Sequence, residues 1–168
     1  IPIVGTVPAI KPAAAMTQSG MISVLATPGT VSRDYTQDLI RDFAAGVSVT
    51  LVGSKALAGL AERALRGEAV ADEAIGAEIA PCFVERNGAR TDVVVLACTH
   101  YPLLIDRLKA LSPWPVEWID PAPAIARRVT QVIGEKREEG EGRSFARFTA
   151  GIEGRSGLHS LLQREGMD

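Results

Sequence analysis

Cysteine and histidine are scarce in this chain: two of each stand among its 168 residues. Cys82 and Cys98 do not make a disulfide framework in a chain of this size, so a reducing, cytoplasmic setting is expected. No Cys-x-x-Cys or His-x-x-x-His spacing occurs, so no metal site is expected. Strong charge of one sign is also lacking. Lys and Arg number 18 against 20 Asp and Glu, a formal charge of −2, and no basic patch suggests a nucleic-acid partner. No apolar run is long enough to span a bilayer, and no charged-then-apolar opening resembles a secretory signal, so no membrane partner is expected. There is no internal repeat.

What is present is a hydrophobic content of 46%, enough for one substantial core. The apolar segments are short and β-branched. "PIVG" (2–5), "MISVLAT" (21–27), "VSVTLVGS" (47–54), "DVVVLAC" (92–98) and "PVEWID" (115–120) each read as a strand, apolar at nearly every position, as in strands buried on both faces. Helical spacing fills the intervals at 33–44, 55–67, 71–88, 101–111 and 122–139, with Tyr35, Leu39, Ile40 and Phe43 along one face of the first. Alternating strand and helix predicts an α/β fold with an open, mainly parallel sheet flanked by helices. After "GEKREEGEGR" (134–143) a further strand (144–151) and a short helix (157–166) follow. One strand and one helix do not make a domain, so this tail reads as the returning end of a unit whose body lies elsewhere.

The strands end in Thr27, Ser54, Cys98-Thr99 and Asp120. Ligands of open parallel sheets bind at the carboxyl ends of strands, where helix N-termini favour anions. The plainer alternative is that these residues cap helices. "VVVLACTHYPLL" (93–104) is the most informative stretch. A cysteine between a strand and a helix can be activated as a thiolate, more so beside an imidazolium. Equally, Cys98 can be an inert strand-end residue with His100 capping the next helix. Along a strand, residues two apart do not face one another in the way a Cys–His pair requires, and only a turn relaxes that rule. Cys82, in "IAPCFVE", reads as core, and His159 as a surface or packing residue.

"ACTHYPLL" (97–104) resembles the second catalytic cysteine motif of the glutamate racemases. "IPIVGTVPAIKPAA" (1–14), "VLATPGTVSRDY" (24–35), "LAERALRG" (60–67) and "EWIDPAPAIARRV" (117–129) resemble further segments of that family in the same order. The related aspartate racemases usually carry Glu at the position of His100, so the resemblance favours glutamate as substrate. It implies a cofactor-independent isomerase in which two cysteines invert the α-carbon, one removing a proton and the other donating one to the opposite face. By the same resemblance Cys98 is one of the two. His100 assists that thiol or the substrate ammonium, Glu62 supports His100 or meets the ammonium, and Thr99, Thr27 and Thr30 bind the substrate carboxylates or hold the loops that do. D-glutamate supply for peptidoglycan, and with it cell-wall biogenesis and cell shape, follows from the resemblance alone.

The sequence also departs from the family. The Cys-Asn-Thr motif of the other cysteine and an Asp-Ser-Gly start are absent, Ser54-Lys55 stands where a Cys-Pro pair is common, and the loop leading to Tyr35 is one residue shorter. The resemblance therefore implies a flavodoxin-like second domain of a two-domain racemase (1–120), followed by the returning segment of the first (121–168). Its partner is the N-terminal racemase domain, and the chain alone is expected to be inactive. An unpaired strand at 144–151 would expose an apolar edge and favour a homodimer. Two other classes remain open: a non-catalytic small-anion-binding or interaction module with a structural Cys98, and a hydrolase using Cys98 and His100 as nucleophile and base. The latter needs a third orienting group.

Overall fold

The computed structural model describes residues 2–134, 144–149, 156–164 and 166–167. Among them four strands form one parallel sheet: β1 (Met21–Ala26), β2 (Ser48–Gly53), β5 (Val93–Ala97) and β6 (Glu117–Ile119), in the order β2-β1-β5-β6. The expected α/β architecture is therefore present. β3 (Glu85–Arg86) and β4 (Ala89–Arg90) form a separate antiparallel hairpin. The helices are α1 (Ile10–Met16), α2 (Pro28–Val31), α3 (Asp34–Phe43), α4 (Leu57–Leu65), α5 (Asp72–Ile79), α6 (Ile105–Ala110), α7 (Ala122–Ile133) and α8 (Ser156–Arg164).

Every residue of β1 is buried, and so are Val93 to Leu96 of β5, because helices cover both faces of the sheet's centre. Alternation along β5 sends Val93 and Val95 to a core built with Ile10, Ile22, Val24 and Leu39. Val94 and Leu96 enter the opposite core with Leu25, Leu57, Ile75 and Leu108. Burial on both faces does not extend to β2. It lies at the sheet edge, and only Val52 within it is buried.

Other departures have local causes. Residues 2–5 form no strand: Ile3 is 90% exposed and no sheet edge pairs with the segment. The helix expected over 71–88 stops at Ile79, followed by a 3₁₀ turn containing Pro81. Asn87 (φ 53°) and Gly88 (φ 77°) then turn the chain left-handed between β3 and β4, which is the hairpin preference of an Asn-Gly pair. The segment expected as one helix over 101–111 begins as a 3₁₀ turn (Tyr101–Leu104) before α6. Tyr35 and Phe43 of α3 are largely exposed although they share a helix face with buried Leu39. Within 144–149 the only pairing is a single bridge from Ser144 to Met167, so no strand forms there; residues 135–143 and 150–155 lie outside the described set. α7 ends at Ile133 and has no buried residue. α8 matches the expected short helix, with His159 exposed as expected. Gly157 of α8 lies against the end of α4, where a Cβ would meet the Arg66 carbonyl.

Asp92 anchors the start of β5. Its carboxylate accepts the Thr17 hydroxyl at 2.6 Å and the Gln18 and Ser19 N–H groups at 2.7 and 2.8 Å. Partial burial works against the charge, but these donors hold the carboxyl below its ordinary pKa. Asp92→Ala is expected to cost about 2 kcal/mol at neutral pH, since it removes a carboxylate that accepts several hydrogen bonds. A depressed folded pKa means the charge-dependent stability is full above about pH 3.9, where unfolded aspartate titrates, and is lost as pH falls through the lower folded value. Urea unfolding of both proteins at pH 7 and pH 3 checks this. A wild-type-to-variant gap that does not narrow in acid would contradict it.

Candidate active site

The register between β1 and β5 decides where the candidate residues meet. Ala26 pairs with Ala97, so Thr27 and Cys98 leave the sheet side by side at its carboxyl edge. The chain runs outward from β1 to β2 in one direction and from β5 to β6 in the other. The β1–β5 junction is thus the topological switch point, where open α/β sheets bind ligands.

After Cys98 the backbone turns tightly. The Tyr101 N–H donates to the Cys98 carbonyl at 3.2 Å, and the Leu103 N–H to the His100 carbonyl at 3.2 Å. The turn swings His100 back beside the thiol, with Cys98 Sγ 3.8 Å from His100 Nδ1. On the other side of the ring His100 Nε2 lies 2.8 Å from Glu62 Oε1 on α4. A neutral imidazole that donates its Nε2 proton to Glu62 presents Nδ1 as an acceptor toward the thiol. Glu62 Oε2 also faces Arg66 at 3.6 Å, one helical turn on. Carboxylate, imidazole and thiol therefore stand in line.

α4 is held at its start by two side chains. The Leu57 N–H donates to the Ser54 hydroxyl at 3.0 Å and the Ala56 N–H to the Glu78 carboxylate at 3.2 Å. At the end of β6 the Ala122 N–H donates to Asp120 Oδ1 at 2.9 Å. Capping thus accounts for Ser54 and Asp120. It does not account for Thr27, whose hydroxyl instead lies 3.1 Å from that of Thr30.

The other flank of Cys98 opens on a cavity of about 310 Å³, bordered by Thr30, Arg33, Thr36, Thr99 and Asp120 as well. Of the six candidate residues, Cys98, Thr99 and Thr30 share this cavity. Thr27 supports it through Thr30, while His100 and Glu62 lie behind the thiol. Arg33 and Thr36 on the cavity wall were not among the candidates. Their only sequence signal is proximity to the Thr27–Thr30 loop. A larger groove of about 550 Å³, between residues 4–12, α3 and the start of α7, is bordered by no cysteine or histidine.

The second cysteine differs from Cys98. Cys82 is wholly enclosed, and burial pushes its thiol up to about 12. It is core, as its sequence context suggested. Tyr101 is also enclosed, and burial, with the charge of nearby Cys98, raises its hydroxyl to about 12, so it stays neutral. Among the described residues no group of three or more His, Cys, Asp or Glu side chains is arranged to hold a metal ion. No described helix is long and apolar enough to cross a membrane.

The chain is similar to proteins of one family. The family model described as Asp/Glu/Hydantoin racemase matches residues 1–129. A glutamate racemase of Agrobacterium fabrum is 58% identical over 150 residues, covering 88% of this chain and 55% of its own length. One of Sinorhizobium medicae is 63% identical over 130 residues, covering 77% of this chain and 48% of its own length. The crystal structure of Escherichia coli glutamate racemase, in complex with L-glutamate and the activator UDP-MurNAc-Ala, is 36% identical. It superposes with a TM-score of 0.84 over 99% of this chain and 63% of that one. The chain spans about half the length of the curated relatives it matches. With the family model covering most of its length and this fold beneath it, the chain belongs to the aspartate/glutamate/hydantoin racemase family.

Proposed function

We propose that this chain supplies one half of a glutamate racemase site, with Cys98 as one of two thiols that exchange the substrate's α-proton. The supporting observation is the position of Cys98, backed by His100 and Glu62 and opening on a cavity at the sheet's switch point. The glutamate bound by the Escherichia coli relative points to the substrate. In the proposed reaction Cys98, as thiolate, takes the α-proton of one enantiomer. A second thiol then gives a proton to the opposite face of the carbanion, and in the reverse direction the roles exchange. Proton count balances, and no cofactor is called on.

His100 accepts the thiol proton or holds it near, and Glu62 fixes the ring and offsets its positive charge. The hydroxyls of Thr30 and Thr99, with Thr27 behind, receive the substrate's carboxylates. Glu62 also supplies the orienting group that a thiol hydrolase would need, but family membership weighs toward proton transfer.

Cys98 is the one thiol the cavity presents, since Cys82 is enclosed, so the second proton carrier comes from outside the described residues. Residues 1–120 act as one α/β unit and 121–168 belong with the partner domain; the absence of any buried residue in α7 supports this division, whereas α8 meets the end of α4. The whole enzyme works in the cytoplasm and supplies D-glutamate for peptidoglycan.

The test is to join this chain to the half of the Agrobacterium fabrum racemase that it does not match and to follow L-to-D conversion by polarimetry. The joined protein is expected to turn over glutamate, and the chain alone to show none. A folded, joined protein without activity would favour an anion-binding module with a structural Cys98.

A further inference from the structure

We propose that Glu78 of α5 is a positioning residue for the Cys98 thiol, setting Glu62 against His100 through Ser54 and the first turn of α4; this deepens the racemase reading and rests on it. Glu62 reaches the imidazole only if α4 is correctly placed, and α4 does not fix its own start. Ala56 stands at the N-cap and offers no side-chain hydrogen bond. The free N–H groups of the first turn are met from outside the helix. Ser54 Oγ accepts the Leu57 N–H at 3.0 Å, and Glu78 Oε2 accepts both the Ala56 N–H at 3.2 Å and the Ser54 hydroxyl. Ser54 is buried, and its own N–H donates to the Ala26 carbonyl at 2.8 Å, at the end of β1. Ala26 pairs with Ala97, the residue before Cys98. One carboxylate thus ties α5 to the start of α4 and to the sheet edge from which Cys98 departs.

The placement of the charge supports this role. Glu78 is the next-to-last residue of α5, where the helix dipole disfavours an anion, yet its carboxylate meets the start of α4, where the dipole favours one. Ile75 and Ile79 of α5 are enclosed in the same core as Leu57 of α4 and Tyr101, the residue after His100. α5 is therefore a fixed post against which both arms of the Glu62–His100 contact are set. Ser54, where the family commonly has the cysteine of a Cys-Pro pair, supplies a hydroxyl that donates to Glu78 and accepts from α4 at once; a thiol does both weakly. Without Glu78 the Ala56 N–H and the Ser54 hydroxyl lose their acceptor, and the first turn of α4 is free to shift. A misplacement of about 1 Å can cost up to about 100-fold in rate. Glu78 does not border the cavity beside Cys98, so its loss should act on kcat and spare KM.

The test is a double-mutant cycle between Glu78 and Glu62. It is read as the rate at which iodoacetamide alkylates Cys98 at pH 7 in this chain, and as kcat and KM in the joined protein. Glu78→Ala is expected to slow alkylation about 3- to 10-fold and to lower kcat about 5- to 20-fold, with KM within about threefold. Added to Glu62→Gln, it should change either rate by less than about twofold, because the path it acts through is already cut. Glu78→Gln keeps an oxygen that accepts the same two hydrogen bonds and should recover most of both rates. Ser54→Ala cuts the tie without touching α5 and should reproduce Glu78→Ala; it decides the matter if Glu78→Ala does not fold. Fully additive losses, a rise in KM at constant kcat, or no slowing at all overturns the proposal. If the joined protein does not racemise glutamate, the racemase reading falls and the alkylation cycle still decides the role of Glu78. If it racemises and the cycle is additive, the racemase reading stands and Glu78 is a structural residue only.

Discussion

Cys98→Ser is expected to lower kcat/KM of the joined protein by about 10³-fold or more, near 4 kcal/mol of transition-state stabilisation. A serine hydroxyl fits the space of the thiol but ionises far less readily, so it cannot hold the α-proton at neutral pH. Cys98 is partly buried at the margin of the core, where such a small change is expected to shift stability by less than about 1 kcal/mol. Activity and folding should therefore separate: the variant melts like the parent and does not turn over. Glu62→Gln should lose less, about 10- to 100-fold, because the ring keeps a hydrogen-bonding neighbour but loses its counter-charge. Alkylation provides an independent check, since iodoacetamide should modify Cys98 and spare enclosed Cys82. Retained turnover in Cys98→Ser would remove the thiol from the mechanism and leave it a structural residue.

Leu96→Ala is expected to have the largest effect on stability, about 3 kcal/mol, the middle of the range for truncating an enclosed leucine. Leu96 has no exposed surface and lies in the central strand, opposite Leu25 in the β1–β5 register. Its neighbours in the core include Leu57, which begins α4, and Tyr101, which begins the turn after His100. The rigid strand and the helices around it leave little freedom to close the cavity. For a chain of this size the loss corresponds to a fall in Tm of about 6 to 12 °C. Thermal melts followed by circular dichroism check it. A loss under about 1 kcal/mol would mean that the two cores can collapse into the space, contrary to the packing described. The same substitution lies two residues from Cys98, so it should also weaken turnover in the joined protein by loosening the thiol's support.

The strands nearest the site were the most legible part of the chain. β5 is apolar throughout and β1 at every position but Ser23, and short β-branched runs of this kind between turn residues read as strands buried on both faces. The hairpin at 85–90 was hidden because its two strands are two residues each, too short for a periodic signal, although the Asn-Gly pair between them marked the turn. The segment at 2–5 has strand-like residues but no partner edge, and pairing, not composition, makes a strand.

The sequence by itself determined the alternation of strand and helix, the parallel sheet and the Cys-Thr-His motif at a strand end. These follow from local periodicity and from residue types at fixed spacing. It could not decide whether Cys98 and His100 face one another, because that depends on the turn closed by the Tyr101 and Leu103 N–H groups. Nor could it bring Glu62, 38 residues earlier, within 2.8 Å of the imidazole, or place Arg33 on the wall of the cavity that Cys98 borders. Those distances come from strand register and from how the helices pack on the sheet. Each is set by the burial of many side chains at once, and no short segment carries that information.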